Sequence, residues 1–356
     1  MNELRIGTTR IAENEPPYII AEIGANHNVD FQTCLEMIKR AAQCGVSAVK
    51  LQKRNLDMFT KKSLNQEYDN ENSYGKTYGE HRAALDWFGK DEFLRARDWA
   101  WEHDVDFIVT PFDKDDVDFL KQIEPDAVKI ASCDLDNTPL MKKSMELNKP
   151  LIISCGGYWG GYSDKESLIW LVHTYLSILK AEFAFLHCVS DYNTIKDKDL
   201  NLKSIQWYAE NFDVVCGFSS HHPGIQPIMR AYDLGARIIE VHFTLSRAQK
   251  GTDHAFSLEP AGLARLCEDI KRIPVWDGEY GPGGVEKEDK GFIRKMGKAI
   301  HVVKPVQTGE KLTVENIALK APAVGLPPYE WDNVVGKIAI CSLSTEDTLT
   351  MDKIRS

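Results

Sequence analysis

Eight short apolar runs alternate with helical patterns between Tyr18 and Phe243, and few architectures accept such a chain. The runs are YIIAEIG, SAVKLQK, DFIVTPF, AVKIAS, LIISCGG, FAFLHCV, VVCGFSS and RIIEVHF. Runs this short, bounded by glycine and polar clusters, read as strands buried on both faces. Between them, segments such as FQTCLEMIKRAAQCG, EFLRARDWAWEHD, DDVDFLKQI and SLIWLVHTYLSILK space their apolar residues at helical intervals. Strand, helix, strand gives parallel pairing, and eight such units predict a closed (β/α)8 TIM barrel rather than an open sheet. A barrel takes about 250 residues, so a chain of 356 leaves room for one small further domain. One connection is long. Residues Arg54 to Lys90, after the second strand, are charged and rich in Asn, Tyr and Gly, the texture of a lid or binding loop.

The alternation breaks at Trp276–Asp289, WDGEYGPGGVEKED, a glycine- and charge-rich stretch. The pattern predicts a barrel over 1–276, a linker over 277–293 and a separate module over 294–356. The module hides a repeat: residues 303–317 and 340–354 superpose at an offset of 37, Val306 on Leu343, Leu312 on Leu349, Thr313 on Thr350 and Ile317 on Ile354. A duplicated strand–turn–strand unit with one helical turn predicts a small, mostly β fold. Alone it buries little surface, so docking on a barrel, its own or a partner's, is expected.

Composition narrows the function. A formal charge of −10 and a pI near 5.5, with no basic block, exclude a nucleic-acid surface. The eight cysteines show no CxxC pairing and mostly lie in apolar runs, the usage of a reducing cytosol. No run approaches the ~18 apolar residues of a membrane span, and the first residues carry no apolar signal core. A cytoplasmic protein is expected, with neither membrane nor nucleic acid as partner.

In parallel α/β folds, ligands collect at the carboxyl ends of the strands. Those ends carry Glu22; Lys50 and Gln52; Thr110 and Asp113; Lys129, Ser132 and Asp134; Ser154; Ser190 and Tyr192; Ser219 and His221; and His242, with Asp253 and His254 just after. His221 and His242 end adjacent strands 21 residues apart. Neutral imidazoles are common metal ligands, and two would leave positions for water and substrate; ordinary strand-end histidines would look the same. Lys50 and Lys129 lie within apolar strands, where a lysine is costly unless an anion meets it. Either an inward ion pair or a phosphate and carboxylate pocket would satisfy them.

The motifs AEIGANHN, AVKLQ, VTPFD, VKIASCD, CVSDY, GFSSH, and HFT followed by GTDHAFSLEP fall on successive strand ends. Together they resemble the sialic acid (N-acetylneuraminate) synthase family over nearly the whole chain, and the carboxyl-terminal module is similar to that family's antifreeze-like (β-clip) domain. The resemblance implies a nonulosonate synthase that condenses phosphoenolpyruvate with an open-chain N-acetylhexosamine and releases phosphate. It implies that Lys50, Thr110, Lys129, Ser132, Ser154, Ser190 and Ser219 hold phosphoenolpyruvate. It further implies that His221 and His242 bind a divalent metal, Mn2+ or Mg2+; that Gln52, Asp134, Tyr192 and Asp253 contact the sugar; and that Glu22 sits beside the reacting carbons. A homodimer with exchanged modules is also implied.

Several positions depart from the family. Bacterial members carry an arginine where this chain has Ala321, and that arginine reaches the sugar's N-acetyl group. Asn193, Cys133 and Ser220 replace usual residues, and the fifth loop, CGGYWGGYSDKE, offers Trp159 and Tyr162 to the pocket. SYGKTYGEH is closer to the animal type, whose substrate is a 6-phosphate, and Lys76 is a candidate for that group or a solvated lysine. The alternatives are a related phosphoenolpyruvate-dependent 3-deoxy-2-keto sugar acid synthase using a 2-hydroxy or 6-phosphorylated aldose, and a non-catalytic sugar-binding homologue. A surface-binding protein would not need the polar barrel mouth, and a barrel metal hydrolase would more often gather three protein ligands.

Overall fold

The computed structural model of the chain describes residues 3–68, 71–86, 88–156, 182–189, 196–278, 289–345 and 347–356. It divides into two compact units, Met1–Trp276 and Asp277–Ser356.

The first unit begins with a short hairpin, β1 (Leu4–Ile6) and β2 (Thr9–Ile11). Eight parallel strands then close into a barrel: β3 (Tyr18–Gly24), β4 (Ala48–Lys53), β5 (Asp106–Pro111), β6 (Ala127–Ile130), β7 (Leu151–Cys155), β8 (Phe183–Cys188), β9 (Val215–Ser220) and β10 (Ile238–His242). Each lies within one of the eight apolar runs. The last strand closes on the first, with Ile238 opposite Tyr18 and His242 opposite Glu22. Outward residues such as Ile19, Val49, Phe107 and Ile153 pack against helices whose buried positions follow a 3.6-residue period. The helix Phe31–Gln43 buries Cys34, Met37, Ile38 and Ala41 in this way, and Asp30 caps it by accepting from the Gln32 amide. Asp113, a strand-end candidate, is likewise a helix cap. It accepts from the Asp115 amide while Asp116 reaches back to the Asp113 amide.

Inside the barrel the side chains alternate with period two. Tyr18, Ile20, Ala48, Ile108, Ala127, Ile152, Ala184, Leu186, Val215 and Ile238 form an apolar layer that Leu4, Ile6 and Ile11 of the hairpin close from below. Nothing in the alternating pattern assigns an element before Tyr18; the hairpin is a plug, and its energy comes from shielding that layer. One inward position further along, the lining becomes polar. Ile20 gives way to Glu22, Ala48 to Lys50, Ile108 to Thr110, Ala127 to Lys129, Ile152 to Ser154 and Ile238 to Glu240.

Among its described residues, the long second connection carries secondary structure. It contains short helices at Lys61–Leu64 and Tyr78–Leu85, the latter opened by a Thr77/Glu80 capping box. The rings of Tyr68, Tyr74 and Tyr78 cluster around Phe59 and His81, and the Tyr74 hydroxyl donates to the Lys250 carbonyl beyond β10 (2.9 Å).

In the second unit a helix, Asp289–Met296, occupies the end of the stretch whose composition marks a linker. Two antiparallel pairs follow, β11 (Ala299–Val302) with β12 (Ile317–Lys320) and β13 (Ile338–Ala339) with β14 (Ile354–Arg355). The repeat is a structural one. Val306 and Leu343, equivalent by the offset, bond to each other's backbones at 2.9 and 2.8 Å. The Gln307 amide donates to Glu310, and the equivalent Ser344 amide donates to Asp347, both at 2.7 Å. Val306, Leu312, Ile317, Leu343 and Leu349 form its core. None of the eight cysteines is paired. No helix among the described residues is long and apolar enough to cross a membrane.

Candidate active site

The polar layer opens into a cavity of about 340 Å³ at the carboxyl ends of the strands. Of the residues singled out from the sequence, Glu22, Lys50, Gln52, Thr110, Lys129, Ser132, Ser154, Ser219, His221 and His242 line it. Asp134 and Asp253 are not in its wall. Asp134 instead accepts from Asn137 Nδ2 (2.9 Å), and burial pushes its carboxyl up. Asp253 is half-buried and accepts from the Thr252 hydroxyl (3.2 Å). Ser190, Tyr192, Trp159, Tyr162 and Asn193 lie outside the described residues. His254 is structural, bridging Thr244 (2.7 Å) and Asn28 (3.2 Å). Asn26 ties the first strand's exit to the Phe243 carbonyl and Ser257.

Four buried charges form the centre. Lys50 Nζ pairs with Glu22 Oε2 at 2.8 Å and Glu240 Oε2 at 3.7 Å, and donates to Thr110 Oγ1 at 3.0 Å. Lys129 Nζ donates to Ser154 Oγ at 2.7 Å and stands 3.9 Å from Glu240 Oε1. Ser219 donates to the same Glu240 oxygen at 2.8 Å, and Gln52 donates to Glu22 Oε1 at 2.5 Å. So the lysines are ion-paired, as one of the readings open from sequence has it, and they also line the cavity. Burial opposes the charge on Lys50, but Glu22 and Glu240 outweigh it and hold its ammonium above the usual range. For Lys129 burial wins, and its pKa falls, with Glu240 only partly offsetting. Burial likewise opposes the charge on Glu240, yet Lys129, Lys50 and the Ser219 hydroxyl hold its carboxyl well below the ordinary range.

Glu240 is the central residue that sequence reasoning missed. It sits two residues before His242 in RIIEVHF, so a parity count along that strand would have turned it inward with the histidine. Arg54, Met58, Phe59, Tyr78, Phe112, Ala131, Cys133 and Cys188 complete the wall; no spacing rule brings Met58, Phe59 and Tyr78 of the second connection over the mouth.

His221 and His242 stand with ring centroids 5.2 Å apart, each edge-on to Phe256. Burial and then the neighbouring His242 push His221 down to about 3, so it is neutral near pH 7. Its Nδ1 donates to the Val189 carbonyl (3.1 Å), which puts the lone pair on Nε2. His242 Nδ1 is buried without a hydrogen-bond partner. Two imidazoles so placed fit a divalent cation as two of its ligands. No cluster of three or more ligating side chains occurs among the described residues, so water and substrate would complete the shell.

A closed parallel barrel with buried charged groups and a histidine pair around a cavity at one mouth has the form of a small-molecule binding or catalytic barrel. The chain belongs to the NeuB family, which it matches over residues 37–280, and it carries an SAF domain, the antifreeze-like module, over 297–355. It is 31% identical over 97% of its length to the N-acetylneuraminate-9-phosphate synthase of Mus musculus, covering 95% of that protein. It is 30% identical over 95% of its length to the N,N'-diacetyllegionaminic acid synthase of Legionella pneumophila, covering 95% of it. The crystal structure of an N-acetylneuraminic acid synthetase from Leptospira borgpetersenii aligns with a TM-score of 0.68 at 31% identity, over 82% of this chain and 96% of that one.

Proposed function

We propose that this chain is a nonulosonate synthase that joins phosphoenolpyruvate to the aldehyde carbon of an open-chain 2-acetamido aldose and releases phosphate. The observation that carries this is the pair of buried lysines, Lys50 and Lys129, side by side above an apolar floor and flanked by Thr110, Ser154 and Ser219. Phosphoenolpyruvate is a trianion near neutrality, and ammonium groups with aligned hydroxyls are what bind its phosphate and carboxylate.

Carbon 3 of the enol phosphate attacks the aldehyde carbon, and water adds at carbon 2 of the resulting cation. The tetrahedral intermediate then loses phosphate by C–O cleavage, so one water is consumed and one keto acid formed. Glu22, positioned by Lys50 and Gln52, stabilises the cation and takes a proton of the added water; of that water's two protons, one ends on the former aldehyde oxygen and the other leaves with the phosphate. Around the floor of the cavity two cations, Lys50 and Lys129, face two carboxylates, Glu22 and Glu240. A trianion would leave this group net negative, and a divalent cation offsets most of that charge. His221 and His242 would hold that Mn2+ or Mg2+, which supplies Lewis acidity toward a carbonyl oxygen when bound. Family membership and the unpaired cysteines fit a cytoplasmic homodimer with exchanged modules, which light scattering tests.

The test of the reaction is phosphate release from phosphoenolpyruvate, with Mn2+ or Mg2+ present, against N-acetylmannosamine, its 6-phosphate, mannose and diacetamido hexoses. Release with at least one 2-acetamido sugar is expected. No release with any aldose would refute the assignment and favour a sugar-binding homologue.

A further inference from the structure

Arg54 is a cation that the reaction outlined above does not use. It follows Lys50 and Gln52 at two-residue steps on the same inward face, about 13 Å further out along the chain than Lys50 at the ~3.3 Å rise of a strand. It lines the cavity with its side chain only 15% exposed. Its guanidinium lies over the Phe112 ring, 3.9 Å from the centroid, which fixes its plane. Among the described residues it donates no hydrogen bond. The nearest carboxylate oxygen, Asp86 Oδ1, is 3.6 Å away, and Asp86 is already held by two bonds from Arg82, at 2.7 and 2.6 Å. Burial and the charge of Arg82 both disfavour the Arg54 cation, with Asp86, Tyr78 and Asp253 only offsetting them. A planar, oriented and under-used guanidinium at the outer end of an anion-binding cavity is a device for reading an oxyanion.

We propose that Arg54 determines sugar specificity by binding an anionic group, a phosphate monoester or a carboxylate, at the end of the aldose remote from its aldehyde. This rests on the synthase reading. With phosphoenolpyruvate on Lys50 and Lys129 deep in the barrel, an open-chain aldose reacting there extends outward, and its last carbon meets the Arg54 level. Charge-assisted hydrogen bonds of this kind correspond to roughly a ten- to hundredfold change in affinity.

The experiment compares N-acetylmannosamine, its 6-phosphate and the corresponding 6-carboxylate as acceptors, with wild type, Arg54→Lys and Arg54→Met. Met keeps an aliphatic chain over Phe112. Wild type should favour at least one anionic sugar by tenfold or more in kcat/KM. Arg54→Met should lose roughly ten- to a hundredfold with that sugar, mainly through KM, while KM for phosphoenolpyruvate is unchanged and the loss with the neutral sugar is at least tenfold smaller. Arg54→Lys should recover part of it. Which anionic sugar responds tells phosphate from carboxylate. Equal losses with all three sugars, with a lowered melting midpoint, would make Arg54 a structural residue and overturn the proposal. So would a wild type indifferent to the anionic group, while leaving the reaction intact. If wild type turns over no acceptor, the reaction assignment fails first and this proposal with it.

Discussion

Replacing Glu240 by Gln tests the central electrostatic claim, that an inward acid holds the two barrel lysines charged before substrate arrives. The substitution keeps the side chain's shape and leaves an oxygen to accept from Ser219, 2.8 Å away. It removes the anion that lies 3.7 Å from Lys50 and 3.9 Å from Lys129. Lys50 retains Glu22 at 2.8 Å. Lys129 retains only neutral partners, the Ser154 hydroxyl and the Ile130 carbonyl, and burial already lowers its pKa. Breaking a buried pair by removing one partner costs about 3–5 kcal/mol. Because the amide remains bonded and Lys129 can shed its proton, we expect the lower end, about 3 kcal/mol. For a unit of this size that is a fall of roughly 6–12 °C in the melting midpoint. The assay is thermal melting of wild type and Glu240→Gln with and without saturating phosphoenolpyruvate. An anionic ligand replaces the missing carboxylate, so its stabilising shift should be larger in the variant than in wild type. An unchanged midpoint together with equal ligand shifts would refute the reasoning and make Glu240 a spectator.

Three further outcomes are expected. His221→Ala and His242→Ala should each weaken Mn2+ binding in calorimetry at least tenfold without lowering the melting midpoint by more than a few degrees; unaltered Mn2+ affinity in both would remove the cation from this site. Below the barrel, burial raises Asp106 from 3.8 to about 6, only partly offset by the Tyr18 hydroxyl 2.6 Å away. Folding therefore takes up a proton there, and the stability linked to it is full below pH 3.8 and lost as pH rises to about 6. Asp106→Asn should flatten the melting midpoint over that window, and an unchanged slope would contradict the assignment. Gly217 has no room for a side chain, since a Cβ would stand 2.2 Å from the Ile238 carbonyl oxygen and 2.5 Å from Leu186. Gly217→Ala should cost at least about 3 kcal/mol as overpacking between strands, read as lost soluble barrel; a variant with wild-type melting would show that β9 and β10 can separate.

The eight strands were legible because burial on both faces writes itself as continuous apolar runs, and the order of those runs left one closed sheet as the economical solution. Lys50, Lys129, His221 and His242 were legible for the related reason that a polar group inside such a run is expensive and so conspicuous. The repeat at an offset of 37 was visible in sequence because both copies bury the same apolar positions around Val306 and Leu343. Only the tertiary structure decided the rest. Glu240 looked like an acid in a strand until closure of β10 onto β3 set it against both lysines from across the barrel. The hairpin Leu4–Ile11 carries too few apolar residues to announce an element, and it exists because an open barrel floor needs covering. Asp113 and Asp134 stand at strand ends as the site residues do, yet local backbone and side-chain partners captured them. Met58, Phe59 and Tyr78 reach the mouth because the second connection folds over it. Sequence records what each strand must bury, whereas long-range closure decides which buried charges meet, since Coulomb pairing depends on distances that no local pattern encodes.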